Sequence, residues 1–146
     1  MKIPPICPYC GEESVLKDSS IIYGKSYGPM YICKNFPKCD SYVGVHRGTI
    51  TPFGTMANSR LRLLRNRAHK ALDSLWRTGK TTRYQCYKYL ALKMKIKKSK
   101  AHIGMFDEKQ CEKVVEIFSN VEPWEVREFQ HKPGILKQIL GRKVRA

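Results

Sequence analysis

Four cysteines constrain this chain more than any other feature. Two residues separate Cys7 from Cys10 in C-P-Y-C-G, and after 22 intervening residues Cys33 and Cys39 follow in C-K-N-F-P-K-C. Two close thiol pairs at this separation read as one metal-ligand set. Zinc takes four ligands at tetrahedral angles, and thiolates suit it. Each short Cys-to-Cys loop can turn two sulfurs toward one point, and Gly11, directly after Cys10, is placed to take the positive φ that such a turn needs. Four thiolates leave no open coordination position, so the metal reads as a single structural Zn²⁺ and not as a catalyst. His46, seven residues past Cys39, is the one replacement ligand to weigh.

The 146 residues are 42% hydrophobic, enough for one ordinary domain or for a small metal module with a helical part. No apolar run approaches the roughly 18 residues of a membrane span, so no membrane role is expected. The segment 1–6 lacks the apolar stretch of a signal peptide. Thiols at metal-ligand spacing suit a reducing compartment, which places the expected location in the cytoplasm.

The net charge of +16 points to a polyanionic partner, and its distribution narrows the search. Residues 1–54 carry a net +2 and residues 105–146 a net +1. Residues 55–104 hold fourteen Lys/Arg against one acid, Asp73, for a net +13. The metal module is almost neutral, and the basic field belongs to the middle third.

The first 50 residues read as short strands around the metal. The β-prone runs at 21–23 and 30–32 are separated by Gly24 and by Gly28-Pro29, and residues 42–45 supply a third strand. A three-stranded zinc ribbon over 1–50 follows. After a connector with Pro52 and Gly54, a helical pattern runs over 56–76, with Ala57, Leu61, Leu64, Ala68, Ala71, Leu72 and Leu75 on one side and Gly79 as the stop. Thr82-x-x-Gln85 and Asp107-x-x-Gln110 are capping boxes. They open helices over 82–94, with Tyr87, Leu90, Ala91 and Met94 inward, and over 107–119, with Cys111, Val114, Val115 and Phe118 inward. Pro123 starts a further helix, residues 135–140 form a short apolar one, and 142–145 is a basic tail. The fold class is therefore α+β: an N-terminal three-stranded zinc ribbon, then a small basic helical domain over 55–146.

Arg60, Arg62, Arg65, Arg67, Lys70 and Arg77 on one helix are the foremost candidates for phosphate contacts, since such cations neutralise phosphates and release counterions. A merely solvated face usually interleaves acids at i+4, and only Asp73 is available. Lys95, Lys97 and Lys98 extend the basic surface beyond the next helix. In the ribbon, Lys34 and Lys38 flank Phe36 at a knuckle tip, where a ring can stack on a base while the ammonium groups meet phosphates. Tyr23, Tyr27, Tyr31 and Tyr42 lie in the same module, Tyr31 and Tyr42 reading as core. A helix-turn-helix from 82–94 and 107–119 would need a three- or four-residue turn, and the link is 12 residues long. His46, His69, His102 and Asp107 are the polar residues an enzyme would recruit. No paired carboxylates and no Gly-rich phosphate loop accompany them, so the expectation is a non-enzymatic protein.

The second knuckle, residues 33–39, resembles the C-terminal zinc ribbons of bacterial type IA topoisomerases, which bind single-stranded DNA. A broader resemblance runs through Tyr42-Val-Gly-Val-His46, Thr51-Pro-Phe-Gly-Thr55, Ala57-Asn58, Leu61-Arg62, Arg65, Ala68-His69, Asp73 and Leu75-Trp76. It continues through Tyr87, Leu90-Ala91, Ile96, His102-Ile-Gly-Met-Phe-Asp107 and Cys111. These motifs, over about residues 6–118, are similar to the phage and prophage "zinc-finger-containing" family of unknown function. The resemblance implies a small bacteriophage or mobile-element protein working in the bacterial host cytoplasm, with a zinc ribbon and a helical part. It supplies no activity. The functional expectation is DNA or RNA binding through the basic helical surface. The alternative is an effector that occupies a host protein or nucleoprotein complex, as in anti-defence or host takeover.

Overall fold

The computed structural model describes residues 2–129. The chain divides into two compact units, with the boundary between Leu63 and Leu64.

In the first unit, strands β1 (Ser14–Asp18), β2 (Pro29–Cys33) and β3 (Tyr42–Gly44) form an antiparallel sheet in the order β1-β2-β3. Leu16 pairs with Tyr31, and Tyr31 with Val43. Successive strand residues face opposite sides, so Tyr31 and Cys33 share a face of β2. They are buried with Cys7, Val43, Val45 and Met56, and Cys39 packs on the same cluster. The metal ligands are thus part of this core, and Met30 and Ile32 are buried on the other face of β2. The Tyr31 hydroxyl donates to the Ile50 carbonyl at 2.6 Å.

One strand expected from sequence is not there. Residues 21–23 belong to a helical turn, α1 (Ser20–Tyr23), and the first strand is Ser14–Asp18. Local polar bonding wins over β propensity here. The Asp18 carboxylate accepts from the Ser20 N–H at 3.0 Å and from the Ser26 hydroxyl at 2.6 Å. Gly24, at φ 73°, closes the turn by donating its N–H to the Ser20 carbonyl.

The long helix α2 spans Ser59–Trp76. It starts three residues later than its apolar pattern suggests, because Ala57 is held in a two-way backbone pairing with Tyr42. The Asn58 side chain then accepts from the Leu61 N–H at 3.0 Å, as a capping residue does. Ala68 and Leu72 are fully buried, Leu61, Leu64 and Leu75 nearly so, and Ala71 only half.

In the second unit, α3 (Arg83–Met94) and α4 (Glu108–Ser119) each begin on a complete capping box, at Thr82/Gln85 and Asp107/Gln110. The helix α5 (Pro123–Phe129) begins at the expected proline. The expected inward face of α3 needs correction. Cys86, Tyr89, Leu90, Ala91 and Leu92 are buried, whereas Tyr87 and Met94 are half-buried. Since α3 packs against both α4 and α5, burial spreads round the helix rather than along one stripe. On α4, Cys111, Val114 and Phe118 are buried and Val115 is half-buried. Two 3-10 turns, Lys98–Lys100 and Ile103–Met105, occupy the link between α3 and α4, and Ile103 and Phe106 anchor it in the core. That is not the tight connection of a helix-turn-helix. The expected helix at 135–140 and the basic tail at 142–145 lie outside the described residues.

Lys95 ends α3 with φ 58° and ψ 43°, the left-handed conformation that glycine adopts most easily. Lys95→Gly is expected to raise stability by up to about 1 kcal/mol, read as an upward shift of the denaturation midpoint.

Candidate metal centre and cationic surface

The four predicted cysteines meet. The Sγ atoms of Cys7, Cys10, Cys33 and Cys39 all lie within 4.8 Å of one another. The pairs Cys7–Cys39 and Cys10–Cys33 stand at 3.6 and 3.4 Å. Zinc–sulfur bonds of about 2.3 Å at tetrahedral angles ask for sulfurs about 3.8 Å apart, so the cluster fits the ion. Gly11 does adopt φ 77°, and its N–H donates to the Cys7 carbonyl at 2.9 Å, folding the first knuckle. In the second knuckle the Asn35 backbone N–H points at Cys33 Sγ and its side-chain amide at Cys10 Sγ, both at 3.5 Å. Donors of this kind hold thiolates in place and disperse their charge. The site is a zinc centre of four thiolates. His46 lies outside it, with its ring against Phe53 at 4.8 Å.

The protein's own groups pull these thiols apart. A backbone hydrogen bond from Glu12, and then contact with Cys33, bring Cys10 down to about 7. Burial pushes Cys33 up to about 12 and raises Cys39. A coordinated divalent cation outweighs such differences and deprotonates the thiols. Zinc uptake therefore releases protons, and acid weakens it.

The other two cysteines, Cys86 and Cys111, are fully buried in the second unit, and burial pushes each thiol up to about 11. Thiolates, not thiols, react with electrophiles. Alkylation at pH 8 is expected to leave Cys86 and Cys111 unmodified in the zinc-loaded protein and to reach them only in denaturant. Mass spectrometry of the alkylated protein reads this directly.

The predicted cationic residues divide into two kinds. Arg60, Arg67, Lys70 and Arg77 are exposed. At about 100° per residue Arg60, Arg67 and Lys70 fall along one face of α2, spread over about 15 Å at 1.5 Å per residue, and Arg77 follows directly after the helix ends. The single acid within α2, Asp73, meets Arg77 in a loose 3.9 Å contact and accepts from the Trp76 indole at 2.8 Å. Arg62 and Arg65 do structural work instead. Arg62 donates to the Asp40 and Ala57 carbonyls at 2.6 Å each, reaches the Asp40 carboxylate at 3.4 Å, and stacks on the Tyr42 ring at 3.8 Å. Arg65 donates through Nε and a terminal nitrogen to the Phe106 carbonyl at 3.2 and 3.0 Å. Both residues are half-buried, with their guanidiniums turned onto backbone carbonyls.

Lys34 and Lys38 are exposed and Phe36 is half-buried, its ring edge-on to Tyr42 at 6.4 Å. Lys95 and Lys97 are exposed, and Lys98 is half-buried over the ring of Tyr84. Tyr84 and Lys88 escaped the sequence reading. Their i,i+4 spacing on α3 was the available signal. Asp40 escaped it too. Its carboxylate accepts from the Ser59 N–H at 3.1 Å, so a residue adjoining zinc ligand Cys39 holds the first turn of α2. Of the polar residues weighed for catalysis, His69 Nδ1 lies 3.1 Å from the Arg65 carbonyl and Asp107 caps α4. No helix among the described residues is long and apolar enough to cross a membrane.

A family model described as a zinc-finger-containing domain matches residues 3–121. No curated protein and no solved structure matches the chain.

Proposed function

The chain belongs to the zinc-finger-containing domain family, and from that premise we propose that it is a non-enzymatic protein that binds nucleic acid through a cationic surface. Arg60, Arg67 and Lys70 on α2 and Arg77 directly after it contact phosphates, and Lys95, Lys97 and Lys98 add to them. The observation that carries this reading is the outer side of α2, where Arg67 and Lys70 are exposed and the helix itself supplies a single acid, Asp73. A face that only needs solvation alternates its charges. One that meets a polyanion carries an excess of cations, to be neutralised on binding.

Lys34, Phe36 and Lys38 add a smaller contact on the knuckle. Arg62 and Arg65 contribute by holding the frame. The resemblance to phage and prophage proteins supports a mobile-element product at work in a bacterial cytoplasm. The commitment of His69 and Asp107 to the helices themselves supports a binding role over catalysis.

Fluorescence anisotropy of the zinc-loaded chain on labelled DNA and RNA tests the proposal. Binding near or tighter than about 1 µM at about 0.15 M salt is expected, and no binding at that salt ends it. A second reading has one observation in its favour: Leu63, 49% exposed, sits within the cationic face. A leucine has no use for phosphate but would suit an acidic host protein with an apolar spot at its centre. A stoichiometric protein partner that survives nuclease treatment favours that reading.

A further inference from the structure

Tyr84 stands on the first turn of α3 as a largely exposed ring, 57% accessible. Two ammonium groups converge on it. Lys88 Nζ, one turn along the helix, lies 4.7 Å from the ring centroid, and Lys98 Nζ, from the 3-10 turn, lies 4.4 Å from it. Lys98 arrives there because the chain reverses after α3. Lys95 takes its left-handed conformation, and the Ile96 N–H bonds back to the Ala91 carbonyl at 3.0 Å. A glycine would make that bend with less strain; the lysine keeps a charge at it.

Residues 74–106 contain nine Lys/Arg and no Asp or Glu. Among the described residues, no ion pair joins Lys88 or Lys98 to a carboxylate. An aromatic face attracts a cation, but a neutral ring leaves two like charges uncompensated beside each other. A ligand that answers all three groups carries anionic charge for the ammoniums and a flat π-face for the ring.

We propose that Tyr84, Lys88 and Lys98 form a contact site for an unpaired nucleic-acid strand, with a base on the Tyr84 ring and the adjoining phosphates on Lys88 and Lys98. This rests on the nucleic-acid reading above and adds strand selectivity to it. In a duplex each base face is covered by its neighbours, and only unpaired bases can be splayed onto an aromatic side chain. Lysine stems are flexible enough to swing from ring to phosphate. DNA and RNA share this chemistry, so both are used as probes.

The test uses the full zinc-loaded chain at constant salt with three labelled probes of roughly 12 units, within the usual site size: oligo-dT, oligo-rU and a DNA duplex. Tyr84→Leu is expected to weaken binding of one or both single strands at least about fivefold, while duplex affinity stays within about twofold. A loss on only one single strand identifies which nucleic acid the site takes. Tyr84→Phe is expected to retain binding. Repeated across a salt series, Lys88→Gln with Lys98→Gln is expected to weaken all probes and to flatten the salt slope, by about 1.4 on single strands and about 1.8 on duplex. Equal effects of Tyr84→Leu on duplex and single strands, or no effect on either single strand, overturn the proposal.

The two readings fail separately. Salt-dependent duplex binding with no Tyr84 effect removes only the Tyr84 site. A Tyr84 effect that persists while charge reversal on α2 changes nothing removes only the α2 surface. Circular dichroism of each variant confirms that the fold is intact.

Discussion

Removing the zinc is expected to abolish the ordered ribbon. The metal ligands are built into the first unit's core. One cluster there is six buried residues, two of which are the ligands Cys7 and Cys33, with a third ligand, Cys39, packed alongside. The strands β1, β2 and β3 are five, five and three residues long. Structural zinc sites of this kind contribute about 10–16 kcal/mol of apparent binding free energy, as much as the whole stability of an ordinary domain. The loss should reach beyond the sheet. Asp40 adjoins Cys39, takes the Ser59 N–H, and offers both its carbonyl and its carboxylate to Arg62. Once the knuckle is released, the Ser59 N–H in the first turn of α2 loses its acceptor and Arg62 loses its anchor. The second unit has its own core around Ala68, Leu72, Leu90, Cys111 and Val114, and its helices should persist. Amide NMR before and after chelation reads the difference: residues up to Leu63 collapse to unfolded shifts, those of α3 and α4 stay dispersed, and added zinc restores the original spectrum. An unchanged spectrum in chelator would mean the ribbon stands without its metal.

Reversing charge on α2 should have the largest effect on binding. Arg67→Glu with Lys70→Glu changes two exposed positions on the cationic face and leaves the buried side of the helix untouched. Each replacement removes a phosphate contact and puts repulsion in its place, so the pair is expected to weaken binding about 100-fold at low salt. Zinc content and thermal stability should stay at wild-type values. Arg62 and Arg65 are the wrong positions for this experiment. Glutamate at Arg62 would leave the Asp40 and Ala57 carbonyls without their donor and set a second carboxylate beside Asp40. Weakened binding in that variant would report a damaged fold.

What could be read from the sequence was local. The cysteine pairs, the Gly11 turn, the two capping boxes and Pro123 at a helix start are short patterns with fixed spacing, and each appears as expected. The strand at 14–18 was not legible, because Val15 and Leu16 are both substantially exposed and the run has no inward-outward alternation. The apolar run at 21–23 looked like a strand until the serines and Asp18 claimed its backbone. On α2, helical periodicity separated Arg60, Arg67 and Lys70 from the buried Leu61, Leu64, Leu72 and Leu75, while Leu63 stays on the cationic side. It could not show that Arg62 and Arg65 bend back onto carbonyls distant in sequence, Asp40 and Phe106. The same limit hid Lys98, which reaches Tyr84 only because Lys95 reverses the chain.

The most direct measurement of the central claim is the salt dependence of nucleic-acid affinity, taken on the wild-type chain and on Arg67→Glu/Lys70→Glu side by side. Every phosphate neutralised adds about 0.9 to the steepness of log K against log salt on duplex DNA, and about 0.7 on single strands. The wild type should show a slope of about −4 or steeper on duplex, as four or more contacts require, and the variant a slope shallower by about two. A flat wild-type line, or identical slopes for the two proteins, would contradict the assignment of the α2 face to phosphate.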